Sequence, residues 1–500
     1  MSLRANVIAN YLGHGWTAIM GLAFVPLYIQ ALGIEAFGLI GVFAILQASM
    51  TVLDLGLTPT LNREMARHRA GGHSSESIRD LLRSLEWVYF ALALLMLLGM
   101  WFGAPWLARE WLKTGALPVP TVVEVLRIMG LVLAARAFED VYRGSLQGLQ
   151  DQVWLSAAQA LIATFRWGGA WLIVAFVWPT VSAFFLWQGL VSLLGVIAMV
   201  VRTYVVLPQA SRPPRFSLGS MRGIRSFAGG MFVGSVLALL LSQMDKLVVS
   251  RLLPIEELGY YVLAATAAGG LLQLTVPMNA AIFPQLTGQV ERNHHVELAE
   301  TYQRSCEWMA AIVVPPALVL TFFSGQVMLL WTGSFALAET TAPLLRLLAL
   351  GSLCNALMNL PYMLQLAHGW TALAVQINVV AVAVVIPAVL WAVPRWGASG
   401  AAAVWLLLNA GYLLISAHLM HRRLLPTAKW RWYREAVALP LVAGSLAAAA
   451  LVAALPVPST RAGAALTVAL AAILLLFAVT AVLPNVRRGL IDALLARRSG

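Results

Sequence analysis

Runs of about twenty apolar residues recur along almost the whole chain, and each is long enough to cross roughly 30 Å of hydrocarbon as an α-helix. Of the 500 residues, 60% are hydrophobic and 11% are charged, whereas soluble proteins have a charged fraction of about 25%. Because lipid offers no hydrogen-bond partners, a spanning segment must satisfy its own backbone, as a helix does. The sequence therefore predicts an all-α polytopic membrane protein.

We predict fourteen membrane-spanning helices. The first run contains Asn6, Asn10 and His14 and continues to Tyr28 without a small-residue cleavage site, so we interpret it as a span rather than a removable signal peptide. An even number of spans places both termini on one side. The predicted spans are residues 5–30, 36–62, 85–108, 121–146, 153–177, 181–205, 224–250, 257–283, 306–330, 341–366, 371–392, 399–420, 435–455 and 462–484.

Positive charge is distributed unequally between the loops on the two sides. Of the 33 lysines and arginines, 23 fall on the side of the termini, five on the opposite side and five within spans. Positively charged loops stay cytoplasmic, so both termini are predicted to be cytoplasmic. The net charge of +12 follows this topology and requires no nucleic-acid partner.

A short block of sequence occurs twice and predicts two related halves. YIQALGIEAFGL at Tyr28–Leu39 aligns with part of SQMDKLVVSRLLPIEELGYY at Ser242–Tyr261 after a shift of 221 positions. The shift spans six helices, an even number, so both halves enter the membrane with the same polarity, as in a parallel repeat. The matched pairs are Leu32 with Leu253, Ile34 with Ile255, Glu35 with Glu256 and Gly38 with Gly259.

The repeat and the loop composition together predict the domain organisation. A basic, proline-broken segment between helices six and seven is typical of a linker; an amphipathic piece that holds anionic lipid head groups is the alternative. The last two helices are predicted to serve for packing. The predicted parts are an N-terminal lobe at 1–205, a cytoplasmic linker at 206–223, a C-terminal lobe at 224–420, and two extra helices with a basic tail at 421–500.

Motifs for nucleotide or hydrolytic chemistry do not occur. The chain has no G-x-x-x-x-G-K-[ST], no H-E-x-x-H and no G-x-S-x-G, which disfavours an ATP-driven pump or a hydrolase. Cys306 and Cys354 lie in or beside apolar segments and are interpreted as small buried hydrophobes. We therefore expect no catalytic residues, no metal site and no cofactor.

Charged residues inside the spans are the candidate functional residues, because each costs about 2.5–3.5 kcal/mol on insertion scales. Arg166 is the hardest to explain, since it stands near the middle of helix five with no acid within four positions. We favour an anion-binding role, because a guanidinium grips phosphate oxygens with two donors, over a structural pair between helices. The full set is balanced, with positive Arg127, Arg136, Arg166, Lys246 and Arg346 and negative Asp54, Glu124, Glu139, Asp140 and Asp245.

Structural roles compete at the other charged positions. Arg127 and Arg136 have acids three or four positions away on helix four, so pairing within the helix and snorkelling compete with a cavity role. Arg346 lies near the outer end of helix ten, where snorkelling is favoured. For Asp54, helix capping or pairing with Arg63 is the structural alternative.

Asp245 and Lys246 are adjacent on helix seven. Adjacent helical residues point to different faces, so we expect that these two do not neutralise each other. Lys246 is predicted to snorkel outward, which leaves Asp245 to find a partner on another helix.

Two motifs carry a resemblance to a known family. They are D-L-G-L-x-P-x-L-x-R-E at Asp54–Glu64 and Q-x-D-K-L-V-V-S-x-x-L-x-x-x-E-L-G-Y-Y at Gln243–Tyr261. With fourteen spans and a twofold repeat, the chain resembles the polysaccharide (O-antigen type) flippases of the multidrug/oligosaccharidyl-lipid/polysaccharide exporter superfamily. The resemblance covers the whole chain in topology and only these two motifs in detail.

The resemblance implies two six-helix lobes around a central cavity that opens by alternating access. It implies that undecaprenyl pyrophosphate carrying a short oligosaccharide moves from the cytoplasmic to the periplasmic leaflet of a bacterial inner membrane, for the synthesis of surface polysaccharide such as the O-antigen of lipopolysaccharide. Expected partners are the lipid bilayer, a polysaccharide polymerase and a chain-length regulator. A proton or sodium gradient is the expected driver.

The same resemblance implies that cationic cavity residues hold the pyrophosphate, and Arg166 matches best by position. Asp54 and Asp245 match the motifs and are candidates for coupling or for contact between lobes. The balanced intramembrane charge departs from the cationic cavity that the family leads us to expect. The candidate substrate-binding cations are Arg166, Arg136, Lys246, Arg346 and Arg127.

Three other functions compete with this one. A drug exporter of the same superfamily requires acidic residues for cationic substrates, which Arg166 disfavours. A flippase for the peptidoglycan precursor is expected to carry several arginines in helices one and two, and these are absent from the sequence. A membrane enzyme such as a polysaccharide polymerase requires a large periplasmic loop, whereas the longest one predicted is Arg109–Pro120.

Overall fold

A computed structural model describes residues 3–489 and residue 492, without the side chains of residues 3–11, 218, 220–231 and 233. The described part consists of helices joined by turns and loops, and its one β-bridge joins Lys113 to Pro254. The predicted all-α class is therefore confirmed. Beyond residue 489, the predicted basic tail lies outside the described residues, except for Asp492.

The first of two compact units extends to Gly259. Its π-helical turns are Leu107–Trp111 and Phe165–Gly169. Its α-helices are α1 (Leu3–Ala23), α2 (Val25–Leu32), α3 (Ile34–Leu53), α4 (Leu57–Arg69), α5 (Ser75–Trp106), α6 (Val119–Gly148), α7 (Gln152–Thr164), α8 (Ala170–Phe176), α9 (Val181–Val206) and α10 (Leu218–Leu252).

The second unit begins at Tyr260, within α11 (Ile255–Gln273). It contains π-helical turns at Tyr412–Ser416 and Tyr433–Ala438 and a 3₁₀ turn at Pro426–Ala428. Its further α-helices are α12 (Thr275–Glu291), α13 (His295–Phe322), α14 (Ser324–Thr332), α15 (Phe335–Ala367), α16 (Thr371–Gly411), α17 (Ala417–Leu424), α18 (Lys429–Trp432), α19 (Leu439–Ala454) and α20 (Arg461–Val482).

Eleven helical segments among the described residues are long and apolar enough to cross a membrane. The longest, Thr371–Leu424, covers two predicted spans and is interrupted at Gly397, whose φ of 58° is outside the helical range. Predicted spans four and seven correspond to α6 and α10, which are long helices outside that set. The total of fourteen spans therefore stays a prediction.

The predicted span at 36–62 is wrong in one respect, because the helix is broken inside the first family motif. α3 ends at Leu53, and α4 begins at Leu57. Between them Leu55 and Gly56 have φ values of 53° and 71°, which are left-handed conformations that end a helix.

The linker predicted at 206–223 lies against the start of α5. Arg212 forms an ion pair with Asp80, and the same carboxylate accepts a hydrogen bond of 2.8 Å from the backbone N–H of Arg215. Helix α10, which corresponds to predicted helix seven, packs on α3, α4 and α5 and therefore belongs to the first compact unit. The lobe boundary inferred from the repeat stays a prediction.

The repeated block packs against its own copy. A Cβ atom at Gly38 would overlap the carbonyl oxygen of Ile255, and one at Gly259 would lie 2.5 Å from the carbonyl oxygen of Ile34. Each glycine therefore allows its helix to approach the backbone of the other block's isoleucine. The Glu35 carboxylate accepts the N–H groups of residues 115 and 116 at 2.7 and 2.9 Å, which fixes the loop after α5 on this contact.

Candidate functional site

Arg136, midway along α6, lies among uncharged partners. Its Nη2 donates to Oε1 of Gln188 at 2.8 Å, its Nη1 donates to Oε1 of Gln47, and its guanidinium lies 4.8 Å from the centre of the Phe43 ring. Among the described residues, no carboxylate is within ion-pair distance of Arg136. Its positive charge is therefore oriented by amides and an aromatic face, but is not cancelled by direct contact.

Arg166 is paired with an acid from another helix. Its Nη2 lies 2.9 Å from Oε2 of Glu139, and the two side chains are 17% and 10% exposed. Glu139 is on α6, 27 positions away in sequence. The interhelical pair considered as the structural alternative is therefore present, and the anion-binding role of Arg166 stays a prediction.

A π-helical turn at Phe165–Gly169 positions Arg166. Such a turn leaves backbone carbonyls available to outside donors. Trp187 donates to the carbonyl of Phe165 at 2.7 Å, and Gln188 donates to the carbonyl of Arg166 at 3.3 Å. Gly169 makes room for the Trp187 indole, which would lie 2.5 Å from a Cβ at that position. The turn is thereby fixed to α9.

The two arginines and Glu139 form a cluster with an excess of positive charge. Asp140, the next acid along α6, pairs with Arg143 at 2.6 Å. Two guanidiniums therefore accompany one paired carboxylate, so the cluster has a local charge of about +1, because arginine stays protonated in proteins. The Nε atoms of Arg136 and Arg166 are buried and have no hydrogen-bond partner within the described part of the chain.

Asp54 caps the helix that follows it. Its carboxylate accepts the N–H of Thr58 at 3.2 Å and the Thr58 hydroxyl at 2.6 Å, and the hydroxyl of Tyr89 also donates to it. The capping alternative is therefore present in the structure. Its candidate role in coupling stays a prediction.

Glu64, the last residue of the same motif, is buried on the α4 face. It pairs with Arg63 and Arg67 at 3.0 Å and with His73 at 2.7 Å. Burial acts to raise the pKa of this carboxyl, but the hydrogen bond from His73 and the charges of the two arginines together lower it. The motif thus ends a helix, caps the next one and anchors it to the following turn.

The expectation that Asp245 and Lys246 do not neutralise each other is wrong. Lys246 Nζ lies 3.4 Å from Asp245 Oδ1 and donates to the carbonyl of Ser242 at 2.9 Å. The Cβ atoms of adjacent residues diverge, but the long methylene stem of lysine can fold back along its own helix. The predicted outward snorkelling of Lys246 is replaced by a local ion pair.

The remaining predicted cations lie elsewhere. Arg127 is stacked 4.6 Å from the Trp101 ring and donates to the Trp101 carbonyl at 3.3 Å. Arg346 donates to Ser324 at 2.9 Å and lines a separate cavity of about 500 Å³ in the second unit. Of the five candidate cations, the structure brings together Arg136 and Arg166.

Gln47 and Gln188 are site residues that the sequence reasoning missed, because it considered only charges. Gln188 is 2% exposed, and a buried amide in an apolar helix must find polar partners. That requirement was readable from the sequence.

The described residues contain no group of three or more His, Cys, Asp or Glu that is placed to hold a metal ion.

Comparison with known proteins gives matches along most of the chain. The family described as "Polysaccharide biosynthesis protein" matches residues 3–288. A protein of Shigella flexneri described as "Putative O-antigen transporter" is 21% identical over 406 residues, which are 81% of this chain and 94% of that protein.

Solved structures share the fold at low identity. A structure of the lipid II flippase MurJ in an inward closed conformation has a TM-score of 0.73 at 12% identity, covering 94% of this chain and 97% of that one. An inward-facing multidrug transporter of the MATE family, in the MOP superfamily, has a TM-score of 0.68 at 15% identity, covering 81% and 94%.

Proposed function

This chain belongs to the polysaccharide biosynthesis protein family, and from that membership we propose that it is a flippase for a lipid-linked oligosaccharide rather than an enzyme. The substrate is undecaprenyl pyrophosphate carrying a short oligosaccharide, and it moves from the cytoplasmic to the periplasmic leaflet of the bacterial inner membrane. The relative described as a putative O-antigen transporter supports a role in transport.

The arrangement of Arg136 is the observation that carries the proposal. Its guanidinium is held by the amides of Gln47 and Gln188, and no carboxylate of the described residues lies within ion-pair distance of it. Together with Arg166 it provides buried donors without a partner among the described residues. A pyrophosphate supplies acceptor oxygens and negative charge, which planar guanidiniums bind with high geometric specificity.

In this mechanism the pyrophosphate enters from the cytoplasmic side and is held at Arg136 and Arg166 while the protein alternates between inward and outward access. A proton or sodium gradient drives the cycle, with Asp54 or Asp245 as the coupling carboxylate. Both termini face the cytoplasm, and the released product passes to a polysaccharide polymerase whose partner is a chain-length regulator.

A drug exporter of the same superfamily is the second candidate, because the MATE transporter shares the fold. Cationic drugs require an uncompensated acid in the binding cavity. Glu139 is the acid of the cluster, and it is paired with Arg166. The excess positive charge therefore favours an anionic substrate.

The test uses a host that lacks its own flippase and displays surface polysaccharide only when a functional one is supplied. We expect Arg166→Glu to abolish display and Arg166→Lys to restore it in part, because lysine keeps the charge but loses the two-donor grip. Arg127→Glu is the matched control, because it reverses the charge of a cation that lies on α6 but outside the cluster. Full display with Arg166→Glu at equal protein level would reject anion binding at this residue.

A further inference from the structure

A second polar site lies in the second unit, away from any residue singled out by charge. It is a cavity of about 180 Å³. We name it the carboxamide pocket. Its polar lining includes Asn355, Asn359, Tyr362, Gln365, Asn378 and Tyr412.

The pocket is polar without being charged. Among the described residues that line it, none is acidic or basic. Polar side chains in a membrane interior are rare and face a bundle interior or a water-filled space. A concentration of amides at one place therefore indicates recognition of a ligand with matching neutral groups.

Hydrogen bonds to neighbouring side chains hold these amides in place. Asn355 donates to Oδ1 of Asn409 at 2.8 Å, and Asn279 donates to Oδ1 of Asn359 at the same distance. Tyr412 donates to Oδ1 of Asn378 at 2.9 Å. Because each contact fixes a side chain, the pocket presents a preorganised set of donors and acceptors.

Gln365 supplies the independent observation. Its side chain is 1% exposed, yet neither Oε1 nor Nε2 has a hydrogen-bond partner within the described part of the chain. Buried polar atoms are almost always paired, and leaving them unpaired is costly. Gln365 lines the pocket, so its amide offers one acceptor and one donor that no described residue occupies.

The pairing chemistry selects the class of ligand. A carboxamide both accepts and donates hydrogen bonds, and so does a sugar hydroxyl. A phosphate requires donors and positive charge, and a cationic drug requires an acid. Tyr362, which is 39% exposed, adds an aromatic surface beside the amides, suited to the apolar face of a sugar ring.

We propose that the carboxamide pocket binds one sugar ring of the head group, given that the substrate is the lipid-linked oligosaccharide of the proposed function. The pocket then contributes to substrate specificity. A site built to bond a hydroxyl strongly disfavours an analogue that lacks it, because the buried amide is left unpaired.

The test measures two kinds of binding on the purified full-length protein in lipid nanodiscs. Methyl glycosides of glucose, galactose and N-acetylglucosamine are the sugar probes, followed by saturation-transfer NMR, and inorganic pyrophosphate is the anion probe. We expect Gln365→Leu to weaken binding of the preferred glycoside at least tenfold and to leave pyrophosphate binding unchanged. Arg166→Gln should do the reverse. Gln376→Leu, on the exposed side of α16, is the matched control.

Thermal unfolding separates a functional effect from misfolding. Since Gln365→Leu removes unpaired buried atoms, this variant should unfold at a higher temperature than the wild type. Asn378→Leu should also lose glycoside binding, which provides a second variant if the first one expresses poorly.

Three results would overturn the sugar site: no binding of any of the three glycosides, equal glycoside binding by Gln365→Leu and wild type, or stabilisation by sodium over choline that is lost in Gln365→Leu. The last result would identify a cation site. Failure of the wild type to bind pyrophosphate would instead count against the proposed function and leave the glycoside result interpretable.

Discussion

The charged cluster of the first unit and the carboxamide pocket of the second are built on corresponding helices. Arg136 on α6 donates to Gln188 on α9, and Asn355 on α15 donates to Asn409 on α16. The donors are 219 positions apart and the acceptors 221, close to the shift of 221 that aligns the repeated motif.

The two halves therefore share an interhelical hydrogen bond and differ in its charge. In the first half the donor is a guanidinium, and in the second it is an amide, while the acceptor is an amide oxygen in both. Under the two proposals above, this difference assigns each unit a different part of the substrate. A guanidinium suits phosphate oxygens, and a carboxamide suits hydroxyl groups.

Charge reversal should break the first half of this comparison most severely. Arg136→Glu changes the cluster from an excess of positive to an excess of negative charge. We expect surface polysaccharide display to fall about 100-fold or more, since loss of charge-assisted hydrogen bonds worth about 3 kcal/mol corresponds to that factor. The matched control is Arg127→Glu, on the same helix but stacked on Trp101. Equal loss with both variants would contradict a specific role of the cluster.

Removing the acid should separate stability from binding. Glu139→Gln leaves Arg166 without its ion-pair partner, and we expect a loss of about 3 kcal/mol in the free energy of unfolding. Pyrophosphate should nevertheless bind more tightly, because the cluster gains positive charge. Thermal unfolding and calorimetric titration of the purified protein measure the two effects. Weaker pyrophosphate binding would show that Glu139 itself positions the anion site.

The glycines of the repeated block offer a symmetric test. Gly38→Ala and Gly259→Ala each place a methyl group against a backbone carbonyl of the other block. Overpacking of this kind costs about 1–3 kcal/mol, and we expect similar losses of thermal stability for both variants. Gly99→Ala, where nothing lies near the added carbon, is the control. A neutral result at either glycine would contradict the close approach of the two blocks.

The smallest expected effect compares the two acceptors directly. Gln188→Leu removes an acceptor from a charged donor, whereas Asn409→Leu removes one from an amide. Bonds to charged groups are worth about 1.5–3 kcal/mol and neutral ones about 0.5–1.5 kcal/mol. Gln188→Leu should therefore destabilise the protein by about 1 kcal/mol more. Equal losses would show that the charge of Arg136 is compensated elsewhere.

The apolar runs were sufficient to predict the helical class, because backbone satisfaction in lipid is a local requirement. The repeat aligned Gly38 with Gly259, but it did not predict that each glycine packs against the isoleucine of the other block. Contacts between helices that are distant in sequence could not be predicted from the apolar pattern. The partner of Arg166 is Glu139, an acid already noted on helix four, but periodicity alone does not tell which faces of α6 and the Phe165–Gly169 turn meet.

Side-chain reach and neutral polarity account for the other differences. Lys246 pairs with its neighbour because its stem is flexible, which a helical wheel does not represent. The amides Gln188, Asn355 and Gln365 were not predicted as site residues, because the candidates were chosen by the insertion cost of full charges. The break at Leu55 and Gly56 was hidden within an apolar run, although D-L-G-L contains the glycine that such a turn prefers.

The most direct measurement of the central claim is transport in proteoliposomes that contain the lipid-linked oligosaccharide extracted from the native host. The fraction of glycan exposed to an impermeant oxidant is followed over time. With wild type and with Arg127→Gln, we expect the glycan on the inner leaflet to become accessible, whereas Arg136→Gln should remain at the protein-free rate. Equal transport by Arg136→Gln and wild type would contradict the assignment of the pyrophosphate to the charged cluster.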